Sequence, residues 1–129
     1  MLRAQRWMAA VKAHPNMELT YDWVAAIAAW GGSGPEPEHM SLAARRNVVD
    51  ACCELGVDLA DVCWLLVPPR GKHSVGAYAE LGYAHARCKR VICSGDAIFD
   101  SPFFSVGVLC ADDAVAFHAL KMDALAGAA

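Results

Sequence analysis

The chain has 129 residues, 57% apolar and 19% charged, which fits a single domain over residues 1–129 with a buried core and gives no reason to expect disorder. Eleven basic and 14 acidic residues leave a net charge of −3, and the basic residues are scattered except for the pairs Arg45–Arg46 and Lys89–Arg90. A nucleic-acid polymer is not an expected partner, because binding one requires a concentrated basic surface.

The cysteines and the N-terminus narrow the class of protein further. The six cysteines lie mostly inside apolar segments, so we expect small core residues rather than a disulfide framework. There is no Cys-x-x-Cys pair and no pair of histidines at metal-binding spacing, so a structural zinc is not expected. The chain opens without an apolar signal-peptide core, and no segment has the length of a membrane span. These features predict a cytoplasmic protein with no membrane partner.

The first third of the chain is predicted to begin with a helix. Residues 2–13 carry apolar side chains at helical spacing, and the pattern ends at His14-Pro15-Asn16. Residues 17–21 alternate as a strand does, and residues 23–30 are predicted to form a short helix. The segment 31–38, rich in Gly and Pro, is predicted to be a flexible loop and a candidate lid.

The rest of the chain alternates between helices and strands. Ser41 is the predicted N-cap of a helix from Leu42 to about Leu55, where Gly56 is the stop signal. Further along the chain we expect strands at 61–67, 89–94 and 106–110, a helix after the first of them, and a last helix that Asp112 or Asp113 caps and that runs to about Leu125. This alternation predicts an α/β domain with a parallel sheet.

The helix predicted over residues 74–86 carries one carboxylate, Glu80, among small residues. It follows a strand and a Pro-rich turn, and ligands of open parallel sheets bind beyond the carboxyl ends of the strands. Gly76 and Tyr83 share the helix face of Glu80. Ser74 lies beside the first turn, whose N–H groups favour an anion. Ser74 and Gly76 therefore predict a cradle for a phosphate or a sugar hydroxyl next to Glu80.

Each of these residues also has a structural interpretation. Ser74 is a common helix N-cap, and the small residues would let the helix pack closely on the sheet. For Glu80 the alternative is a solvated helical glutamate. An acid among small and apolar residues in a helix that covers a sheet would instead be partly desolvated, with its pKa raised.

Three pieces of sequence carry a resemblance to a known family: Asp61–Val67, the pattern Ser74-x-Gly76-x-x-x-Glu80 followed by Leu-Gly-Tyr-Ala, and Lys89–Ile92. Together they make residues 42–94 similar to the nucleoside 2-deoxyribosyltransferases and their relatives, the 2'-deoxynucleoside 5'-phosphate N-hydrolases. The resemblance implies a flavodoxin-like (Rossmann-like) three-layer sandwich with a mostly parallel sheet. It also implies a homo-oligomer that acts on a small nucleoside or nucleotide without a metal or organic cofactor.

The resemblance makes Glu80 the nucleophile that attacks the anomeric carbon of a deoxyribonucleoside and expels the base. A carboxylate does this chemistry in retaining glycosidases. Asp50 is the candidate for the family's aspartate near the nucleobase, with an exposed helical aspartate as the alternative. Tyr83 would pack on the sugar or only on the sheet. Asp22 and Trp23 are candidates for the base end of the crevice, with a core tryptophan as the alternative.

Two departures from the family pattern leave the function open. Transferases commonly carry an aspartate six residues before the nucleophile, where this chain has the hydrolase-like Ser74, so transfer and hydrolysis both stand. The family's usual first strand is missing, so the strand at 17–21 is expected either to pair with 61–67 or to leave a gap in the sheet. A non-catalytic nucleotide-binding or sensing module is the alternative function, and a purely structural domain is the third.

Overall fold

The computed structural model of the protein describes residues 2–22, 25 and 41–128. Its elements, in chain order, are helix α1 (Arg3–Ala13), helix α2 (Leu42–Asp50) continued by a π-helical stretch (Ala51–Asp58), strand β1 (Val62–Leu66), helix α3 (Val75–Ala86), strand β2 (Arg90–Ser94), a 3₁₀ turn (Pro102–Val106), strand β3 (Val108–Cys110) and helix α4 (Asp113–Ala128). The predicted helix 23–30 and loop 31–38 lie outside the described residues.

The three strands form one parallel sheet in the order β1-β2-β3. The register pairs Val62 with Arg90 and Ile92 with Val108. Each strand lies within two residues of its predicted ends. The prediction of a mixed α/β domain with a parallel sheet is therefore confirmed, and the expectation of a flavodoxin-like sandwich goes beyond what these strands establish.

Helices cover both faces of the sheet. One buried cluster joins α3 and the π-helical stretch to the first face; its members are Val57, Leu65, Val67, Leu81, Ala84, Val91, Cys93, Ala97, Ile98 and Phe104. On the other face α4 packs against the sheet, and the buried residues of that contact are Ile92, Cys110 and Ala116. The ring of Trp7 lies with its centroid 5.4 Å from that of Trp64 and 5.5 Å from that of Phe117, which places α1 on the α4 side.

The segment 17–21 is not a strand, so that prediction is wrong. In the part of the chain that the structure describes, no strand pairs with this segment or with the outer edge of β1. Thr20 of this segment donates a hydrogen bond through its Oγ1 to the carbonyl oxygen of Gly56, at 2.7 Å. Alternating apolar residues indicate that a segment has one apolar side. To form a strand, the segment also needs the edge of another strand beside it, with which its backbone can bond. Among the described residues the outer edge of β1 has no partner strand, which is the alternative of a gap in the sheet.

The second helix runs past the predicted stop at Gly56. It changes to π geometry at Ala51 and ends at Asp58. Val57 lies in this extension and is buried in the cluster beneath α3. Tertiary packing therefore outweighs the weak local signal of a glycine. Short π-helical insertions commonly lie at functional sites.

Arg3, the first residue of α1, ties the carboxyl ends of two strands to the start of α4. Its guanidinium donates to the carbonyl oxygens of Val67 at 2.6 Å and Ser94 at 3.0 Å. It also makes a two-point contact with the Asp113 carboxylate at 2.5 and 2.6 Å. Asp113 accepts two further bonds, from the Ser94 hydroxyl at 2.7 Å and the Trp7 indole at 3.0 Å.

We expect Asp113→Ala to lower the free energy of unfolding at pH 7 by about 2 kcal/mol, less than the ~3 kcal/mol or more of a fully buried pair, because Arg3 keeps one third of its side chain exposed. Urea unfolding measures this loss. The matched control is Asp123→Ala, which breaks a surface pair with Arg90 and should cost less than about 1 kcal/mol. Equal losses in the two variants would contradict a special role for Asp113.

The same pair predicts an acid-sensitive stability. Burial by itself would raise the pKa of Asp113, but hydrogen bonds from Arg3, Ser94 and Trp7 outweigh it and hold the pKa below the ordinary 3.8. The stabilisation is therefore present above the unfolded pKa and is lost as the pH falls through the folded one. Below about pH 4, the stability difference between the wild type and Asp113→Ala should shrink.

Candidate functional site

A cavity of about 1060 Å³ lies along the outer edge of β1. All five residues of β1 line it. A cavity over one face of the strand would meet only alternate residues, so this cavity follows the outer edge of β1. Its walls come from α1 and α4 on one side and from the π-helical stretch and α3 on the other, and residues 15–21 cross it. The gap in the sheet thus opens a space large enough for a small molecule.

Three of the predicted site residues, Ser74, Gly76 and Glu80, line this cavity together. Ser74 is the N-cap of α3, and its hydroxyl oxygen accepts a bond from the amide of Ala77 at 3.3 Å. A Cβ added at Gly76 would meet no heavy atom within 4 Å. The first turn of α3 therefore has open space beside it, and its first N–H groups have no partner within the helix.

Glu80 is partly buried and meets a thiol from the neighbouring helix. Cys52, in the π-helical stretch, lies close enough to the Glu80 carboxylate for its thiol to act on the pKa of that group. Burial raises the pKa of Glu80 above its ordinary 4.5, and the Cys52 thiol offsets part of that rise. Burial and the charge of Glu80 raise the pKa of Cys52 to about 11. The thiol is therefore protonated at neutral pH and can serve as a donor to Glu80.

Sequence reasoning missed Cys52, and it also missed Tyr21. The phenol of Tyr21 lines the same cavity, and burial followed by the charge of Cys52 raises its pKa above 10.0. Tyr21 is thus a protonated donor close to the Cys52–Glu80 pair. All five residues of the segment 17–21 line the cavity, so its alternating pattern did not single out Tyr21. Nothing in the sequence paired Cys52 with Glu80, since their contact depends on the packing of two helices.

Asp50 and Tyr83 do not line the cavity that contains Glu80. Asp50 is exposed at the end of α2. The Tyr83 hydroxyl donates to the Asp58 carboxylate at 2.9 Å, and its ring packs against the core cluster beneath α3. Tyr83 thereby ties α3 to the π-helical stretch. The roles in catalysis and substrate binding that were expected for these two residues stay predictions.

The two candidates for the base end of the crevice are placed differently. Asp22 pairs with Lys12, and its Oδ1 accepts a bond from the amide of Ala25 at 2.8 Å. It does not line the Glu80 cavity, whereas its neighbour Tyr21 does. Trp23 lies outside the described residues.

The described residues contain neither a group of metal ligands nor a helix suited to a membrane. Within the ranges that the structure covers, no three His, Cys, Asp or Glu side chains are grouped so that they could hold a metal ion. No helix in those ranges is long and apolar enough to cross a bilayer.

No protein-family profile, curated protein or solved structure matches the chain. The function of the cavity must therefore be argued from its own residues.

We expect Glu80→Gln to keep the fold and to raise the free energy of unfolding at pH 8 by about 1 kcal/mol or less. Because burial raises the pKa of Glu80, the folded chain holds this proton more tightly than the unfolded chain. The contribution of Glu80 to stability is then most favourable below pH 4.5 and falls as the pH rises through the folded pKa. Glutamine cannot ionise and avoids that loss. Urea unfolding at pH 4.5 and pH 8 measures the difference, and a variant less stable than wild type at pH 8 would contradict a desolvated Glu80.

Proposed function

We propose that the protein cleaves or transfers the N-glycosidic bond of 2'-deoxynucleosides or deoxynucleoside monophosphates, with Glu80 as the nucleophile. The observation that carries the proposal is the arrangement of Ser74, Gly76 and Glu80 along one cavity, with the carboxylate partly buried near the Cys52 thiol. The resemblance of residues 42–94 to the deoxyribosyltransferase family supports the same chemistry.

The reaction proceeds in two displacements. A carboxylate oxygen of Glu80 forms a bond to the anomeric carbon, while the bond from that carbon to the base nitrogen breaks and its electron pair leaves with the base. Water or a second base then attacks the anomeric carbon and releases the Glu80 carboxylate, as in retaining glycosidases. Partial desolvation favours the first step, because a carboxylate with a raised pKa is the stronger nucleophile.

The remaining cavity residues have roles that follow from their chemistry. The N-terminus of α3, with the Ser74 hydroxyl and the open Gly76, would hold the 5'-hydroxyl or 5'-phosphate of the sugar. The departing base takes its proton from water, and the Tyr21 phenol, protonated and in the same cavity, can donate a hydrogen bond that stabilises the charge on the base as it leaves. Asp50 is the candidate that the resemblance supplies for that end of the substrate.

The flavodoxin-like fold, the homo-oligomer and the cytoplasmic location belong to the same proposal. Parallel strands in the order β1-β2-β3 with helices on both faces are compatible with that fold. Hydrolysis and transfer differ only in whether water or a base completes the second displacement.

A nucleotide-binding module without turnover is the second candidate. The observation that favours it is the size of the Glu80 cavity, about 1060 Å³, which is near the upper limit of small-molecule sites, roughly 1,000 Å³. A site this wide along an unpaired strand edge holds a ligand less firmly against the nucleophile, and misplacement of the reacting atoms lowers rates steeply.

We expect Glu80→Gln to reduce the release of free base by at least about a thousandfold, the scale for loss of a nucleophile. Chromatography of each deoxynucleoside and its monophosphate, with and without an acceptor base, measures this rate and separates hydrolysis from transfer. The matched control is Glu54→Gln, which changes an exposed glutamate in the same π-helical stretch that does not line the cavity and should keep the wild-type rate.

The outcomes of this assay separate the candidate functions. Undiminished base release in Glu80→Gln would contradict the assignment of Glu80 as the nucleophile. A wild-type protein that releases no base but gains thermal stability from nucleotides is the binding module. A wild-type protein that shows neither effect is a structural domain.

We expect Cys52→Ala to raise the pKa of Glu80 and to move the acid limb of kcat/KM to higher pH, because the hydrogen bond from Cys52 lowers that pKa while burial raises it. Cys52→Ser retains a donor and is the matched control. Carbon-13 NMR titration of the Glu80 carboxyl measures the same pKa without relying on turnover. A pKa that is unchanged or lower in Cys52→Ala would contradict the contact.

A further inference from the structure

A second cavity, of about 470 Å³, lies on the other flank of α3. Tyr78, Gly82 and His85 line it, whereas Gly76 and Glu80 line the first cavity. The loops that follow β1 and β2 complete its walls, so it lies at the carboxyl ends of the strands, where parallel sheets bind ligands. Its volume is within the roughly 300–1,000 Å³ of small-molecule sites.

Tyr78, Phe103 and Phe104 give this second cavity an aromatic part of its wall. Phe104 is buried, and its ring centroid lies 6.0 Å from that of Tyr78. Phe103 also lines the cavity although 76% of it is exposed. An exposed phenylalanine beside an open cavity contributes little to the core and is available to cover a flat apolar ligand.

The rim of the second cavity carries a positive charge with no partner. Lys72, His73 and His85 line it, and no hydrogen bond or ion pair with another described residue occupies their side chains. Among the described lining residues the one acid is Asp100, which the Arg70 guanidinium binds at two points, 2.7 and 2.9 Å. Lys72 therefore presents an uncompensated charge, and each imidazole offers an N–H donor.

The Arg70–Asp100 pair also shapes the opening. Arg70 lies in the loop after β1, and Asp100 lies in the loop after β2. The guanidinium makes a further contact with the carbonyl oxygen of Asp96 at 3.4 Å. The two loops are thus joined across the cavity.

We propose that this second cavity binds a small planar anion, an aromatic carboxylate of one or two rings. The rings lie against Tyr78 and Phe103, and the carboxylate faces Lys72, with N–H groups of His73 and His85 as further donors. The charge and the aromatic wall together select this class over neutral aromatics and over small inorganic anions. The site adjoins the Glu80 cavity, with which it shares Pro68, Pro69 and Leu81 as lining residues, but Glu80 does not line it. The inference does not depend on the proposed enzymatic function.

The experiment uses 2-naphthoate as the probe, with binding measured by calorimetry and by amide NMR shifts. We expect Gly82→Leu to abolish binding, because a Cβ at Gly82 meets no heavy atom within 4 Å and a leucine there would occupy the cavity. Leucine also favours the helix more than glycine does, so this variant should fold. The matched control is Ala79→Leu in the same helix, at an exposed position that lines neither cavity, and it should bind as wild type does.

Charge is tested separately. Lys72→Met and the neutral probe 2-naphthalenemethanol should each weaken binding by roughly tenfold, the effect of losing a charged hydrogen bond. The proposal is overturned if wild-type protein shows no binding at about 1 mM 2-naphthoate, if Gly82→Leu binds as tightly as Ala79→Leu, or if the neutral probe binds as tightly as the anion.

Discussion

The two-point contact between Arg3 and Asp113 is the interaction on which the carboxyl edge of the sheet depends. Arg3 also donates hydrogen bonds to the carbonyl oxygens of Val67 and Ser94 at the ends of two strands, and its contact with Asp113 fixes the start of α4 beside them. The approach is so close that a Cβ on Gly95, which has a φ of +135°, would lie 3.2 Å from the Arg3 guanidinium. The loops that begin at this edge form walls of both cavities, so this contact positions both sites.

Helix α3 divides the space beyond the sheet because its side chains are small on two flanks. Leu81 and Ala84 anchor it to the core, while Gly76 opens one flank toward Glu80 and Gly82 opens the other toward the aromatic cavity. A desolvated carboxylate lowers stability at neutral pH. Its position near a thiol is consistent with the proposed reactive site, because such sites often give up stability for reactivity.

The structure confirms some of the predictions that rested on local signals and contradicts others. The strands follow from apolar runs between turn residues, and Ser74, Gly76 and Glu80 share a cavity because helical spacing alone places them near one another. The prediction of a strand at 17–21 is wrong because alternating apolar residues indicate only a side that faces apolar surroundings. They do not show whether the edge of another strand is near enough to bond. The stop at Gly56 failed because burial of Val57 outweighs a cap signal.

By itself, the sequence determined the alternation of helices and strands, the parallel α/β class and a carboxylate one turn from an open glycine, since each depends on residues within a few positions of one another. Only the tertiary structure decided that Arg3 meets Asp113, 110 residues away, that the Cys52 thiol lies near Glu80, and that α3 separates two cavities. Those contacts join distant parts of the chain, and their free energy comes from packing and burial that no local pattern records.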